Sequence, residues 1–523
     1  MGGKHSKCFS NWSENIQTDK KIKFPKTDIE IIQLIKKYSK TNSTIRVVGA
    51  GHSISPTVCT NNSSDRKVKL ISLSKYSLVP ENININHEDM TVTVNAGWSL
   101  SKLYHELNKY RYFLETQPAS AAFSVSGLCC TPVHGAKLGA SHLSDSILAM
   151  RLIDDKGDII IKTRDDPDFT FYQLSLGIFG IVTGVTFKIY KYENFTMTSL
   201  THPINFDDPS VNIKLNEFLL NCIRKSINSE TAEYAQCFLD LHASKVLCLH
   251  WIESKQNAFI RDYIEPLSVG KMTLLETFLK RIDSDYRQSP FTLALISKFA
   301  RYSITQSVEN DYQTNRDLFW LTTAIRAYFM EYYIPIYTEN TFDDNQESLV
   351  DYVVDYESDS KENPDISLDR LYDAINVVVK TMRRFKKANK TFIPDLPCEF
   401  RFVVSSQCKL SPIYYNSEVE KKTIYLAIEI PCLANNLDFK FAEGINKDNT
   451  QLISDFTEFY SQVEKGWIEL GGRSHWGKLY SFHNNKLFDS SNFIDHKTKI
   501  LLQNLVSTLF LNSFSRSFIG LND

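Results

Sequence analysis

A short apolar strand that breaks into a small-residue turn constrains the fold of this chain more than any other feature. Residues 46–53 read Arg-Val-Val-Gly-Ala-Gly-His-Ser, which places an imidazole at the tip of the turn. Gly49 and Gly51 allow positive φ angles and let the backbone approach a ligand closely. Successive N–H groups in such a turn form a concavity that suits a pyrophosphate, and the histidine would be close enough to a bound cofactor to react with it. The predicted binding residues are Val48, Gly49, Ala50, Gly51, His52 and Ser53.

The length and the charge of the chain exclude several classes of protein. Its 523 residues exceed what one hydrophobic core usually serves, so we expect two or more domains. The net charge of −2 comes from 59 basic and 61 acidic residues without a long basic block, which argues against nucleic acid as a partner. Polar residues interrupt the longest apolar stretches, such as 500–511, so that none of them predicts a membrane span.

The cysteines and the N-terminus bear on the cellular compartment. Ten cysteines are scattered along the chain and none forms a Cys-x-x-Cys pair, so the sequence predicts neither a metal site nor a disulfide framework. Because no secretory signal is present at the start, we expect a cytoplasmic protein with reduced thiols. Gly2 and Ser6 fit the N-myristoylation pattern, and Cys8 is a candidate palmitoylation site, which together would attach the protein to a membrane. The alternative is a polar tail that matches a short pattern by chance.

Hydrophobic periodicity predicts helices and short strands in both halves of the chain. In residues 24–193, a βαβ-like rhythm begins with an amphipathic helix over 25–40, capped by Thr27 and Asp28. The strands expected in this half cover 45–48, 68–73, 91–96, 146–153, 158–162 and 181–189, with a helix ending at Leu107 and a hairpin turn over 155–158. From about residue 192, helices over 211–226, 369–390 and 451–467 alternate with strands over 245–251, 400–405 and 423–430. We therefore expect an α+β fold, with helices on one face of a sheet in the second half.

Two further segments rich in glycine and hydroxyl groups follow the first turn. Residues 119–139 suit a backbone-lined wall for a flat cofactor, and they suit a buried loop between sheets equally well. In residues 176–185, glycines punctuate an apolar strand, and glycine weakens a strand unless a backbone or a ligand approaches it closely. The chain lacks the common phosphate-binding and dinucleotide glycine motifs, so the three segments together predict a cofactor held mainly by backbone groups. The candidate binding residues here are Ser126, Gly127, Thr131, His134, Gly135, Gly180, Ile181 and Val182.

The three segments, taken in order, resemble the FAD domain of the vanillyl-alcohol oxidase superfamily, which has a PCMH-type fold. Motifs of the second half are similar to those of the sugar-1,4-lactone oxidase group. They are Glu-Tyr-Tyr-Ile-Pro at 331–335, Glu-Phe-Arg at 399–401, Leu-Ser-Pro at 410–412, Arg-Ser-His-Trp-Gly-Lys at 473–478 and Phe-Leu-Asn-Ser-Phe at 510–514. The resemblance extends from about Asn11 to Phe518. The chain departs from the family where Ser474 replaces a proline and where Ile54 and Ser55 precede Pro56.

This resemblance implies an α+β fold in which a PCMH-type FAD-binding domain of two subdomains is followed by an α+β substrate-capping domain of the aldonolactone oxidase type. It divides the chain into a tail over 1–20, the FAD-binding domain over 21–193 and the cap over 194–523, whose C-terminal segment packs back on the FAD domain. FAD is the implied cofactor. In covalent members of the superfamily the turn histidine is bonded to the flavin 8α-methyl, which points to His52.

The implied activity is oxidation of a sugar-derived aldonolactone, of the arabinono-, gulono- or galactono-1,4-lactone type. A hydride would pass to flavin N5, and the electrons would pass on to O2 or another acceptor. The resemblance assigns Glu399, Arg401, His475 and Lys478 to this chemistry. Glu399 and Arg401 are two residues apart on a predicted strand, so both side chains face the same way.

Structural alternatives exist for several of these residues. Glu399 and Arg401 could be an ordinary ion pair on an exposed strand, which would contribute little. His475 and His134 could be packed structural residues. At the level of function, the alternatives are an alditol or other carbohydrate or alcohol oxidase or dehydrogenase of the same superfamily, and a catalytically silent flavin-binding scaffold.

Overall fold

The structure, a computed structural model, describes most of the first half of the chain and selected ranges of the second. The described residues are 8–59, 65, 67–118, 120–191, 194–215, 218–219, 234–242, 244–253, 312–314, 327–338, 368–416, 422–433, 451–483 and 494–521. Gly2 of the predicted lipidation site and the predicted domain boundary at residue 193 lie outside these ranges. Of the helix predicted over 211–226, residues 211–215 and 218–219 are helical and the rest is not described.

Short strands and helices alternate along the described chain. The strands are β1 (Cys8–Ser10), β2 (Gln17–Lys23), β3 (Ile45–Val47), β4 (Lys69–Ile71), β5 (Ile83–Asn86), β6 (Thr91–Asn95), β7 (Tyr112–Phe113), β8 (Ile147–Ile153), β9 (Ile159–Thr163), β10 (Ile181–Lys188), β11 (Tyr190–Lys191), β12 (Asn194–Pro203), β13 (Tyr234–Asp240), β14 (Lys245–Glu253), β15 (Tyr312–Thr314), β16 (Ala327–Thr338), β17 (Cys398–Val404), β18 (Thr423–Leu433) and β19 (Arg473–Ser474). The α-helices are α1 (Asp28–Lys40), α2 (Leu100–Lys109), α3 (Val125–Cys129), α4 (Phe169–Tyr172), α5 (Leu368–Lys387), α6 (Gln451–Glu469), α7 (His496–Leu505) and α8 (Ser513–Phe518).

The first half contains two larger sheets. One has the strand order β1-β2-β4-β3, and β4 pairs in parallel with both β2 and β3. The other has the order β5-β6-β10-β8-β9, and all its neighbours are antiparallel. The predicted βαβ rhythm is therefore correct only for the smaller sheet. The predicted hairpin turn over 155–158 is confirmed, with Gly157 at φ +89° between β8 and β9.

Helix starts follow the capping signals that the sequence contains. The Thr27 hydroxyl accepts the N–H of Glu30 at the start of α1, and the Ser99 hydroxyl accepts the N–H of Lys102 at the start of α2. Such a cap satisfies one of the N–H groups that the first helical turn leaves unpaired. Both predicted helices are confirmed. Their buried faces carry the apolar residues whose spacing predicted them.

The structure adds local detail to the two other glycine-rich segments. The wall predicted over 119–139 contains the short helix α3, which Ser124 caps by accepting the N–H of Gly127. Five residues with a glycine among them leave no helical periodicity in the sequence. The strand predicted over 181–189 is confirmed as β10 (Ile181–Lys188). Gly180, at φ +146°, lies in a conformation that a strand does not use.

The second half is built on one large antiparallel sheet with the order β15-β12-β14-β13-β17-β18-β16-β19. Helices α5 and α6 pack against each other and against β16. Gly466 allows this close approach, because a Cβ there would lie 2.7 Å from Val377. The predicted α+β fold, with helices on one face of a sheet, is confirmed.

The C-terminal segment contacts the first half of the chain next to the glycine turn. Arg46 donates to the carbonyl of Phe510 at 2.8 Å, and the Ser513 N–H donates to Asp65 at 2.9 Å. These bonds hold the end of the described chain against β3, the strand that leads into the turn. Within the described ranges, no helix is long and apolar enough to cross a bilayer, and no cluster of metal-ligating side chains occurs.

Candidate active site

A cavity lies between the two halves of the chain. Its wall comes from the turn at 49–53, from α3 and the loop after it, from the turn before β10, and from β16, β17 and β18 with the segment after β19. Most of the predicted site residues line it, namely Gly49, Ala50, Gly51, His52, Ser53, Ser126, Gly127, Thr131, His134, Gly180, Val182, Glu399, Arg401, His475 and Lys478.

Three predicted binding residues lie outside the cavity lining. Val48 and Ile181 are buried in hydrophobic clusters, because neighbouring residues of an extended chain face opposite ways. Gly135 packs on the backbone of Gln117, where a Cβ would lie 2.6 Å from the Gln117 carbonyl oxygen. None of the three therefore lines the cavity, and each packs against other parts of the protein.

The glycine turn and the start of α3 are in direct contact. A Cβ on Gly49 would lie 2.2 Å from the Ser124 Oγ that caps α3. Gly51 has φ +74°, which only glycine adopts readily. Two segments that looked separate in the sequence thus form one backbone-lined wall.

The imidazole of His52 lies between two aromatic rings. It stacks on Trp12 with ring centroids 5.7 Å apart and meets the edge of Phe123 at 4.7 Å. Its Nδ1 is buried and has no hydrogen-bond partner among the described residues. Burial, with the nearby Lys478 ammonium, lowers the pKa of His52 to about 4. The ring is therefore neutral at physiological pH and retains a nitrogen lone pair.

Arg46 is a structural residue at the back of the cavity. It is buried and donates to the carbonyls of Thr57, Leu176 and Phe510 at 2.7–2.8 Å. Burial lowers the pKa of Arg46 to about 10, which leaves it charged at neutral pH. These carbonyls engage both Nη atoms of Arg46, whereas its buried Nε has no hydrogen-bond partner among the described residues. Because the Nη atoms are engaged, we expect backbone N–H groups to make most contacts to a bound phosphate.

Three carboxylates form a row across the large sheet of the second half. Glu331 on β16 pairs with Glu429 on β18, and Glu429 pairs with Glu399 on β17. All three line the cavity. Like charges placed directly opposite in a sheet are destabilising, so such a row requires cations close by.

Arg401 supplies one of those cations. Its guanidinium contacts the Glu399 carboxylate, which also accepts the Gln236 amide at 2.7 Å. The exposed fraction is 11% for the Arg401 side chain and 17% for that of Glu399. The two residues therefore form a largely buried ion pair, and the alternative of an exposed surface pair is wrong. The buried Nε of Arg401 has no partner among the described residues. A buried guanidinium N–H without an acceptor is suited to bind a ligand oxygen.

Lys478 supplies the second cation. Its Nζ lies 2.7 Å from Glu429 and 3.9 Å from Glu331, and it also lies 4.5 Å from the centre of the Phe329 ring. Burial raises the pKa of Glu429, although Lys478 opposes this effect. Lys478 therefore links two of the carboxylates that line the cavity.

Glu331 is held in its charged form. Burial alone would raise its pKa, but the His134 imidazole, at 2.5 Å, together with His475 and Lys478, keeps the pKa of Glu331 well below its usual range. The bond to Glu331 gives His134 a defined role in this network.

His475 is a neutral hydrogen-bond donor. Its Nδ1 accepts the backbone N–H of Gly477 at 3.0 Å, so its proton is on Nε2. Burial lowers the pKa of His475 to about 3, despite the nearby Glu331 carboxylate. Its ring stacks on Tyr333 at 6.0 Å, which fixes the plane of the imidazole.

Sequence reasoning missed several residues of the cavity, in particular Glu331, Glu429, Trp12 and Phe329. A signal for the two glutamates exists in the sequence. Each interrupts an otherwise apolar strand, and carboxylates are seldom buried without a partner or a function. No local signal points to the two aromatic residues, since such residues are ordinary core residues.

Comparison with protein families finds a match within the first half of the chain. Residues 20–162 match the family model described as FAD binding domain. This part of the chain is therefore similar to an FAD binding domain. It contains the His52 turn, α3 and His134, and Gly180 and Val182 follow it in the chain.

The chain also has sequence relatives among sugar-lactone enzymes. L-gulono-1,4-lactone dehydrogenase from Mycobacterium tuberculosis is 27% identical over 184 residues, which are 35% of this chain and 41% of that enzyme. D-arabinono-1,4-lactone oxidase from Candida glabrata is 26% identical over 38% of this chain and 37% of its own length. The chain thus spans less than half the length of these relatives.

Solved structures extend the likeness to the whole fold. Cholesterol oxidase from B. sterolicum superposes with a TM-score of 0.70 at 15% identity, over 98% of this chain and 96% of that one. A solvent-stable cholesterol oxidase gives a TM-score of 0.70 at 13% identity, over 99% of this chain and 98% of that one. These likenesses confirm the predicted α+β fold with a PCMH-type FAD binding domain.

The residues of the cavity fit FAD. The buried Nδ1 of His52 and Nε of Arg401 have no hydrogen-bond partner among the described residues, and both side chains line the cavity together with the glycine turn. FAD would be held by the turn at 49–53, by the residues around Ser126 and Thr131, and by the turn at Gly180.

The turn before β10 offers a stability test of this wall. A Cβ on Gly180 would lie 2.7 Å from the Ile153 carbonyl, at a φ that disfavours side chains. We expect Gly180→Ala to lower the free energy of unfolding by about 3 kcal/mol, and to lower the FAD content. Gly177→Ala is the matched control, because Gly177 has positive φ but open space, and should cost about 1 kcal/mol. Equal losses in chemical denaturation would contradict the packing argument.

Proposed function

We propose that the protein uses FAD to oxidise a CH–OH group of a sugar-derived aldonolactone, of the arabinono-, gulono- or galactono-1,4-lactone type. One observation carries the proposal: the buried Arg401–Glu399 pair, with Arg401 Nε unpartnered within the described chain, lies in the cavity that the His52 turn lines. The activities named for the sequence relatives support the substrate class.

Bound FAD would supply the acceptor for a hydride from the carbinol carbon. Arg401 binds the substrate oxygen with its free N–H and stabilises negative charge that develops there. Glu399, which Gln236 and Arg401 orient, takes the hydroxyl proton. His475 donates from Nε2 to a second substrate oxygen, because its Nδ1 is occupied by the Gly477 N–H.

Lys478 and the carboxylates around it determine the charge of the part of the cavity where we place the substrate, next to Arg401 and Glu399. The Lys478 ammonium is held between Glu429 and Glu331, so its position is defined on both sides. We assign it to orienting the substrate hydroxyl groups. A neutral lactone suits this end better than an anionic acid, since three carboxylates face two cations there.

His52 is proposed as the covalent attachment point of the flavin. Its neutral imidazole, held between Trp12 and Phe123, has the lone pair that bond formation requires. The electrons would pass to O2 or to another acceptor.

The experiment that tests the function is anaerobic mixing of the purified flavoprotein with a substrate panel, followed by bleaching of the flavin absorbance. We expect the 1,4-lactones to bleach the flavin and cholesterol to leave it oxidised. Bleaching by alditols alone would move the assignment to a polyol oxidase or dehydrogenase. If no compound in a broad panel of lactones, polyols and hexoses bleached the flavin, the scaffold alternative would replace the proposal.

The protonation of buried histidines predicts a fall in stability at acidic pH. The pKa of His475 is about 3 in the folded protein and about 6.5 in an unfolded chain, so the unfolded chain binds more protons below neutrality. The contribution of the neutral His475 to stability is complete above pH 6.5 and is lost progressively as the pH falls toward 3. By pH 5 His475 alone should remove about 2 kcal/mol.

Thermal unfolding at pH 7 and pH 5 measures this effect. His475→Gln should show a smaller decrease in Tm between the two values than the parent protein. The exposed His87 provides the control, and His87→Gln should follow the parent. An identical pH dependence of all three proteins would argue against a buried neutral His475.

A further inference from the structure

The N-terminal strap, residues 11–16, lies directly on the turn that carries His52. The Trp12 N–H donates to the carbonyl of Gly51 at 2.7 Å. The Asn11 amide donates to the carbonyl of Ser53 at 3.0 Å, and the Asn15 amide to that of Ile54 at 2.9 Å. The backbone on both sides of His52 is therefore bonded to the strap.

The strap also holds its own shape. The Asn11 amide donates to Asn15 at 2.7 Å, and the Asn11 side-chain oxygen accepts the N–H of Ile16 at 3.0 Å. Asn11, Ser13 and Asn15 are polar residues but are at most 4% exposed. Buried polar side chains whose hydrogen bonds are satisfied fix one conformation, and a partly satisfied set would be costly.

Trp12 links the His52 turn to β16 of the large second-half sheet. Its ring stacks on His52 at 5.7 Å with an interplanar angle of 20°, and on Phe329 of β16 at 6.2 Å with an angle of 18°. The neighbouring Ser13 hydroxyl donates to the carbonyl of Ala327 on the same strand at 2.9 Å. Phe123 closes the other side of the imidazole.

We propose that the N-terminal strap is a positioning device for His52, in which Trp12 fixes the plane of the imidazole and shields it from water until the flavin binds. Trp12 is thus a positioning residue for attachment of the flavin, acting through its stack with His52. This inference rests on the proposed bond at His52.

The bond itself joins an imidazole nitrogen to the flavin 8α carbon. One C–H bond of the methyl and the imidazole N–H are broken, and the carbon–nitrogen bond forms. The two electrons and two protons released reduce the ring, and dioxygen takes them up to give hydrogen peroxide. The reaction requires the lone pair to be directed at the carbon, so a loss of orientation lowers the rate of attachment steeply.

The test compares Trp12→Ala, Trp12→Phe and the parent protein, each loaded with FAD. The first readout is the fraction of flavin that stays with the protein after acid precipitation. We expect this fraction, measured early in loading, to fall about ten-fold in Trp12→Ala and to recover in Trp12→Phe, which keeps a stacking ring. Trp98→Ala is the matched control, because Trp98 is a half-buried indole outside the cavity lining.

The second readout does not depend on the flavin bond. In protein prepared without flavin, the rate at which diethyl pyrocarbonate modifies His52 reports how well the ring is shielded. This rate should rise in Trp12→Ala and stay at the parent value in Trp12→Phe and Trp98→Ala.

The two readouts separate the possible failures. If the parent holds all its flavin non-covalently, the bond at His52 is refuted, and the proposed role of Trp12 in attachment is refuted with it. If the parent holds acid-stable flavin and Trp12→Ala does so equally fast, with His52 modified at the same rate, the strap has no positioning role. A slower attachment in Trp98→Ala as well would show that general destabilisation is the cause.

Discussion

Replacing Arg401 by alanine is expected to lower kcat/KM for the lactone substrate by about three orders of magnitude. The change removes the buried N–H that lacks a partner in the described chain, and it leaves the Glu399 carboxylate without its cation. Arg401→Lys should recover little, because an ammonium cannot reproduce the planar fork of donors. The measurement is the rate of anaerobic flavin bleaching in single turnovers.

Loss of folding must be separated from loss of chemistry in this experiment. The control is Arg473→Ala, since Arg473 on β19 donates to the carbonyl of Pro412 and does not line the cavity. The Tm and the bound FAD of the variants report folding. A kcat/KM within ten-fold of the parent value for a well-folded Arg401→Ala protein would remove Arg401 from the mechanism.

Replacing His52 by alanine is expected to abolish acid-stable flavin entirely. The imidazole of His52 lies between Trp12 and Phe123, and because it is neutral it has the nitrogen lone pair that the bond requires. FAD should still bind, because the turn and α3 contribute backbone contacts that the substitution leaves in place. The measurement is flavin fluorescence of the acid-precipitated protein.

His87→Ala is the control for this experiment, because that imidazole is exposed. A His52→Ala protein that retained flavin through acid precipitation would show that another residue carries the bond. The same experiment therefore distinguishes a wrong attachment site from a non-covalent flavoprotein, in which the parent itself would lose its flavin.

Much of the fold could be predicted from local signals. The cap at Thr27 and the apolar spacing behind it gave α1, and the alternation at Thr91–Asn95 gave β6. The α3 helix escaped prediction because five residues are too few for periodicity, and its cap at Ser124 becomes meaningful only against Gly49. The antiparallel pairing of the second sheet also escaped, since pairing is decided by residues far apart in sequence.

The candidate site was likewise predictable from the sequence only in part. The glycine turn with His52 and the Glu399–Arg401 spacing were visible in the sequence, because both are local patterns with a physical meaning. Glu429 carried a signal, as a carboxylate in an apolar strand, that became clear only when the sheet placed it opposite Glu331 and Glu399. Trp12 carried none, and its role follows from ring contacts to His52 and Phe329.

Local sequence signals are enough to predict an α+β chain with a backbone-lined cofactor turn, because helix caps, strand alternation and glycine turns act over a few residues. The tertiary structure alone decided which charges share the cavity and which aromatic rings enclose His52. Hydrogen bonds, stacking and the pKa of a buried group depend on distances between residues hundreds of positions apart, and only the packed fold sets those distances.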